Sequence, residues 1–213
     1  MKVALCYRGH YYREKPHSGN FFLNLENNQN MLLNRFSDFD VFFHTYSVNS
    51  EMNEKLKTCL NPTDYIIENT KSSEIRHSIL KVNELVTGDY DFIINLRFDL
   101  HFKVPFTDLN IEHEKFNFLW RERRPMWKRK GATSDFLFAF HSDFKSNFDY
   151  AYGDLYDKML GENNPARDGH LIYNTLSDIV DETDINFLIN NYVESGKADR
   201  HNNKYITLNR NIK

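Results

Sequence analysis

Arg97, Asp99 and His101 stand two residues apart in the run from Asp91 to Phe102. A β-strand sends alternate side chains to opposite faces, so this spacing sets a guanidinium, a carboxylate and an imidazole side by side. Such a trio suits a divalent ion together with a phosphate. A carboxylate coordinates Mn²⁺ or Mg²⁺ and leaves positions open for a diphosphate. A guanidinium pairs with phosphate oxygens, and an imidazole favours manganese over magnesium. The intervening positions Phe92, Ile94, Leu96, Phe98, Leu100 and Phe102 are all apolar. The pattern therefore predicts one strand over 91–102 with its charged face near the carboxyl end. The competing reading of the same alternation is a half-exposed strand with a solvated face.

The elements that must position this trio follow from the pattern before it. Apolar runs at Val3–Tyr7, Asp40–Tyr46 and Asp64–Glu68 predict strands. Helical spacing is visible over Phe22–Phe36, over Ser50–Leu60 with Ser50 as N-cap and Pro62 beyond its end, and from Ser72 to about Val86 with Gly88 as the stop. That β-α-β-α-β-α-β order predicts a mostly parallel sheet flanked by helices, whose ligands sit outside the carboxyl ends of the strands. Those ends are Arg8-Gly9-His10, His44-Thr45-Tyr46-Ser47 and Arg97 to His101. Further on, Phe116–Trp120 and Asp135–Ser142 predict strands, and Asp143–Leu160 and Asp168–Val180 predict helices. No repeat, low-complexity tract or linker divides the chain. The expectation is one domain over 1–213, with a nucleotide-binding half to about residue 102 and an acceptor-side half beyond it.

Several residues at these ends could join the site. Arg8 and Gly9 could set a guanidinium and backbone against a nucleotide, and Thr45 and Tyr46 could line its pocket, Tyr46 by stacking on a base. Arg76 or Lys81, on the helix before the central strand, could reach phosphate. Asp135 and Asp168 could each serve as a base or acceptor anchor, although a carboxylate at a helix start such as Asp168 also simply favours the dipole. Residues 121–130 carry six Arg or Lys around Trp127. Such a segment could bind nucleic acid or close as a lid over a diphosphate; the lid is the expectation, because the formal net charge is only -3. No GxGxxG, Walker sequence, HExxH or zinc-type cysteine pair is present.

The composition is globular: 40% hydrophobic and 15% aromatic, with 18 Phe and 12 Tyr, enough apolar surface for a folded core. Two cysteines, Cys6 and Cys59, give no disulfide framework and favour a reducing compartment. No membrane-length apolar stretch or signal peptide is visible, so the expected location is the cytoplasm. The chain could be one domain of a longer protein.

These motifs resemble the GT-A-type glycosyltransferases, single α/β domains that use a metal-bound nucleotide-diphosphate sugar. The likeness rests on the strand order, the loop after the first strand, Asp40-Val41-Phe42-Phe43-His44-Thr45-Tyr46, and Tyr90 to Leu100 with its Arg-Phe-Asp-Leu. Together these pieces suggest homology to that group over most of residues 1–180, and the chain is more closely similar to the N-terminal glycosyltransferase domains of multidomain proteins of large algal viruses (chloroviruses), associated with the glycan of the major capsid protein. The resemblance implies a UDP-linked hexose or 6-deoxyhexose donor, Mn²⁺ or Mg²⁺, a glycan or glycoprotein acceptor, no nucleic-acid partner, and the host cytoplasm as location. It implies Asp99, with His101, as metal ligand, and Arg8, Arg97 and the basic loop against the diphosphate. An inverting enzyme would use Asp135 or Asp168 as base; a retaining one need not. The family's metal motif is Asp-any-Asp, and here one carboxylate is missing whether Arg97-Phe98-Asp99 or Asp99-Leu100-His101 is aligned with it. A non-catalytic nucleotide- or glycan-binding module with the same fold is the alternative, and a metal-dependent nuclease a third option.

Overall fold

In the computed structural model the described residues are 1–12, 20–70, 75–122, 133–155, 172–193 and 205–208. Strands β1 (Val3–Arg8), β2 (Phe39–Tyr46), β3 (Asp64–Glu68) and β4 (Phe92–Arg97) alternate with helices α1 (Leu25–Met31), α2 (Ser50–Leu60) and α3 (Ile75–Glu84). Asn49 rather than Ser50 caps α2, its side chain accepting from the Met52 N–H, and Asn61 closes the helix at φ 44°. Beyond β4 come β5 (Leu100–Phe102), β6 (Phe116–Glu122), β7 (Leu137–His141), helices α4 (Lys145–Tyr150) and α5 (Ile172–Ser177), β8 (Ile185–Val193) and β9 (Ile206–Leu208).

Seven strands form one sheet in the order β3-β2-β1-β4-β7-β6-β8. Every neighbouring pair is parallel except those made by β7, which runs against both β4 and β6. The expected mostly parallel α/β domain is thus present. The period of two explains its layering. Val3, Leu5 and Tyr7 of β1 join Phe92, Ile94 and Leu96 of β4 in one core beneath the sheet. Ala4 and Cys6 join Ile93, Phe138 and Phe140 in the other, which α3, α4 and α5 cover through Ile79, Phe148 and Leu176. Phe116 anchors this second core, stacked on Phe140 at 4.7 Å and close to Phe148 at 5.4 Å.

The predicted strand over 91–102 is corrected. It ends at Arg97, turns through Phe98 and Asp99, and resumes as β5, which pairs with β9 in a separate two-stranded sheet. The turn follows from Phe98, which is buried against Tyr7 at 5.4 Å and Phe21 at 5.3 Å and so pulls the chain down into the first core. The helix predicted over Phe22–Phe36 is broken into α1 and flanking 3₁₀ turns at Phe21–Asn24 and Leu33–Arg35. The two segments that carried the family likeness meet at the amino edge of the sheet, where Tyr90 Oη donates to Asp40 Oδ2 at 2.9 Å and Lys2 Nζ lies 3.1 Å from the same oxygen. No helix among the described residues is long and apolar enough to cross a membrane.

Candidate functional site

The site lies at the carboxyl edge, on the face that α3 covers. In the parallel register Arg8 is level with both Arg97 and His44, so three cation-capable side chains form a row across β4, β1 and β2. Two adjacent guanidiniums repel, and the structure sets acceptors around them. Arg8 is 1% exposed, its Nε donating to Asn95 Oδ1 and its Nη2 to the backbone carbonyl of Asp135. Its guanidinium also lies 5.5 Å above the Phe138 ring. Burial pushes its pKa down to about 10.

Arg97 is held differently. Its Nε and Nη2 donate to the two oxygens of Asp99, both at 2.8 Å, in a fork-to-fork pair. Its Nη1 reaches Asp135 Oδ2 at 3.4 Å, and its plane lies 4.9 Å from the Phe136 ring centre. Burial alone would lower the pKa of Arg97, but the charges of Asp99 and Asp135 outweigh it and raise the pKa, fixing the cation. Asp99 is 8% exposed and Asp135 1% exposed, so this is an ion network almost out of water.

His101 does not join Asp99 in this network. It sits on β5, its Nδ1 2.6 Å from Asn24 Oδ1 and its Nε2 3.4 Å from Asn27 Nδ2, and burial lowers its pKa. Gly9 ends β1 at φ 90°, a region that L side chains avoid. Its N–H donates to Ser78 Oγ at 2.9 Å, and its carbonyl accepts from Thr45 Oγ1 at 2.7 Å. An added Cβ would meet no atom within 4 Å, so Gly9→Ala should cost only the backbone strain, about 1–2 kcal/mol. Urea unfolding of the variant checks this; a loss near zero would show that the loop relaxes to another conformation.

Tyr46 is buried, its ring 4.9 Å from His10 and 5.2 Å from His44. Arg76 is half-buried on the first turn of α3. Lys81 pairs with Glu84 at 2.8 Å. Asp168 and the basic segment from 123 to 130, Trp127 included, lie outside the described residues.

Sequence reasoning missed the partners that complete this edge. Asn95 anchors Arg8, and Ser78 joins Gly9 to His44 Nδ1 at 2.8 Å. His44 Nε2 faces Glu68 Oε2 at 3.3 Å, and His77 Nε2 lies 2.9 Å from both Glu68 oxygens. Burial pushes the His44 pKa down. Burial would raise that of Glu68, but hydrogen bonding to His77 and the neighbouring His44 hold it below the usual carboxylate range. The signal was available: Glu68 ends the third strand, so the rule that singled out His44 places it at the same edge.

No family model and no curated protein sequence matches the chain. The crystal structure of the glycosyltransferase GlyE from Streptococcus pneumoniae TIGR4 superposes with a TM-score of 0.50 at 14% identity, covering 87% of this chain and 44% of GlyE. Its apo form gives 0.49 at 15% identity over the same shares. A protein from Desulfovibrio desulfuricans G20 assigned as a nucleotide-diphospho-sugar transferase gives 0.42 at 14% identity, over 83% of this chain and 74% of that one. The chain thus spans less than half the length of GlyE and shares the fold of that stretch.

Proposed function

We propose that the chain transfers a sugar from a nucleotide-diphosphate donor to a glycan acceptor. The observation that carries the reading is the fixed Arg97 cation beside the Gly9 loop at the carboxyl edge, where open α/β sheets take their ligands. The nucleotide would lie along the ends of β1 and β2, with Gly9 and Thr45 near its phosphates or ribose and Tyr46 near its base. Arg97 would face the diphosphate and offset the charge that builds on it as the bond to the sugar breaks. Asp99 holds the guanidinium plane in place for that task. Arg8, buried between Arg97 and His44 in the row, would add its charge from a position fixed by Asn95 and the Asp135 carbonyl.

The finer form of the proposal has a UDP-linked hexose or 6-deoxyhexose as donor and Mn²⁺ or Mg²⁺ as cofactor. It has a viral capsid glycan as acceptor, with the host cytoplasm as location. The donor set for the ion does not fit as it stands: both oxygens of Asp99 are committed to Arg97, and His101 is held by Asn24. A metal-dependent form would require Asp99 to leave Arg97 first.

A second reading, a non-catalytic nucleotide- or glycan-binding module, is favoured by one observation. Asp135, a candidate base, is 1% exposed and turned to Arg97. Two measurements separate the readings. UDP near millimolar concentration should raise the melting temperature, since a ligand that binds only the native state stabilises it. UDP-sugars should release UDP in the presence of an acceptor, measured with and without Mn²⁺. Stabilisation without release would select the binding module. Neither effect with any nucleoside diphosphate or its sugar would overturn both.

A further inference from the structure

His44, Glu68 and His77 are the one group of three or more metal-capable side chains among the described residues whose ligand atoms all lie within 4.8 Å of one another. They come from three separate elements: His44 from β2, Glu68 from the end of β3, and His77 from the first turn of α3. We propose that they form a zinc site, two imidazoles and one carboxylate closing on a single ion at the carboxyl ends of β2 and β3.

The donor chemistry selects the metal. Two nitrogens and one oxygen suit Zn²⁺, whereas Mg²⁺ and Ca²⁺ take oxygen ligands. The spacing is close to what zinc needs. With bonds of about 2.0–2.1 Å, neighbouring ligand atoms of a tetrahedral ion stand about 3.3 Å apart. His44 Nε2 is 3.3 Å from Glu68 Oε2, and His77 Nε2 is 2.9 Å from the same oxygen. The third edge, from His44 to His77, is within 4.8 Å, so the partly exposed His77 would close on the ion by about 1.5 Å at most.

A second observation is independent of the spacing. His44 is wholly buried, and its Nε2, aimed at Glu68, makes no well-formed hydrogen bond. Its other nitrogen, Nδ1, is engaged by Ser78 Oγ at 2.8 Å. Metal-bound imidazoles commonly have that arrangement, one nitrogen on the ion and the other fixed by an outer partner. Ser78 also accepts from the Gly9 N–H, so the ion would brace the loop after β1 as well as the start of α3. Three protein ligands leave a fourth position for water or a ligand atom.

The site stands whether or not the chain is a transferase, because its test reads binding of the ion alone. Zn²⁺ is titrated into the metal-stripped full chain against a chromogenic chelator, and native mass spectrometry gives the stoichiometry. One ion per chain and a raised melting temperature are expected. His77→Ala changes a residue one-third exposed and should keep the fold while weakening zinc by about 100-fold or more. Glu68→Gln, similar in shape, should weaken it too. Ser78→Ala should lose about 10–100-fold, and Asp99→Asn should leave zinc affinity unchanged. Co²⁺ in place of zinc should give the intense visible bands of a tetrahedral site, lost in His77→Ala. No binding at 100-fold excess over ~1 µM protein, or equal affinity in the wild type and in the folded His77→Ala and Glu68→Gln variants, would overturn the proposal. The trio would then be an ion pair that ties α3 to β3.

Discussion

Replacing Arg97 with methionine should lower the unfolding free energy by about 3–5 kcal/mol. The apolar stem is kept; what is lost is the guanidinium over Phe136 and, above all, the cation between two carboxylates almost removed from water. Removing one partner of a buried ion network leaves the others charged and unsolvated, and that cost exceeds the net worth of the intact network. Adding Asp99→Asn to the variant should restore part of the loss, since one stranded charge disappears. Urea unfolding at pH 7 measures both. A deficit under 1 kcal/mol would mean that water reaches these carboxylates and that the network is not closed.

Asp99→Asn alone should leave the protein folded and reduce sugar transfer by about 100-fold or more, if the proposed function holds. An amide still accepts one hydrogen bond from Arg97 but gives up the charge-assisted fork that fixes its plane. Because Asp99 would act through Arg97, the loss should fall mainly on kcat, with UDP affinity changed less. Adding Mn²⁺ discriminates further. Wild-type turnover that needs Mn²⁺, with manganese affinity lost in the variant, would assign Asp99 to the ion. Turnover indifferent to Mn²⁺ would assign it to the positioning of Arg97. Full activity in the variant would remove Asp99 from the site.

The parallel half of the sheet was legible because its strands are short apolar runs separated by capped helices, a pattern with few alternatives. The strand from 91 to 102 was misjudged because alternation continues through a turn: Phe98 keeps the period while its burial against Tyr7 and Phe21 bends the chain. For the same reason Asp99 and His101, two residues apart in sequence, have different surroundings, one facing Arg97 and the other Asn24. Strand β8 was missed although Asn186, Phe187 and Leu188 are all buried there, because Asn-rich strands give a weak apolar signal. Within the site, Arg8 was visible as a residue at a strand end, but its burial depends on Asn95 and Asp135, 87 and 127 residues away. Contacts across such distances leave no local pattern. The His44, Glu68 and His77 cluster was hidden for that reason too, since each member alone is an ordinary polar residue.

The reversal of β7 has a consequence for what can reach this edge. Strand β6 leaves the sheet, and β7 re-enters it, on the side where Arg97 and Asp99 lie, and Arg121 bridges to Thr133 at the neck between them. Arg121 is itself pinned, 4.1 Å over the Phe187 ring. One rim of the edge is therefore a cation held by the sheet itself, and replacing Phe187 would loosen it without touching the pairing of β4 with β7.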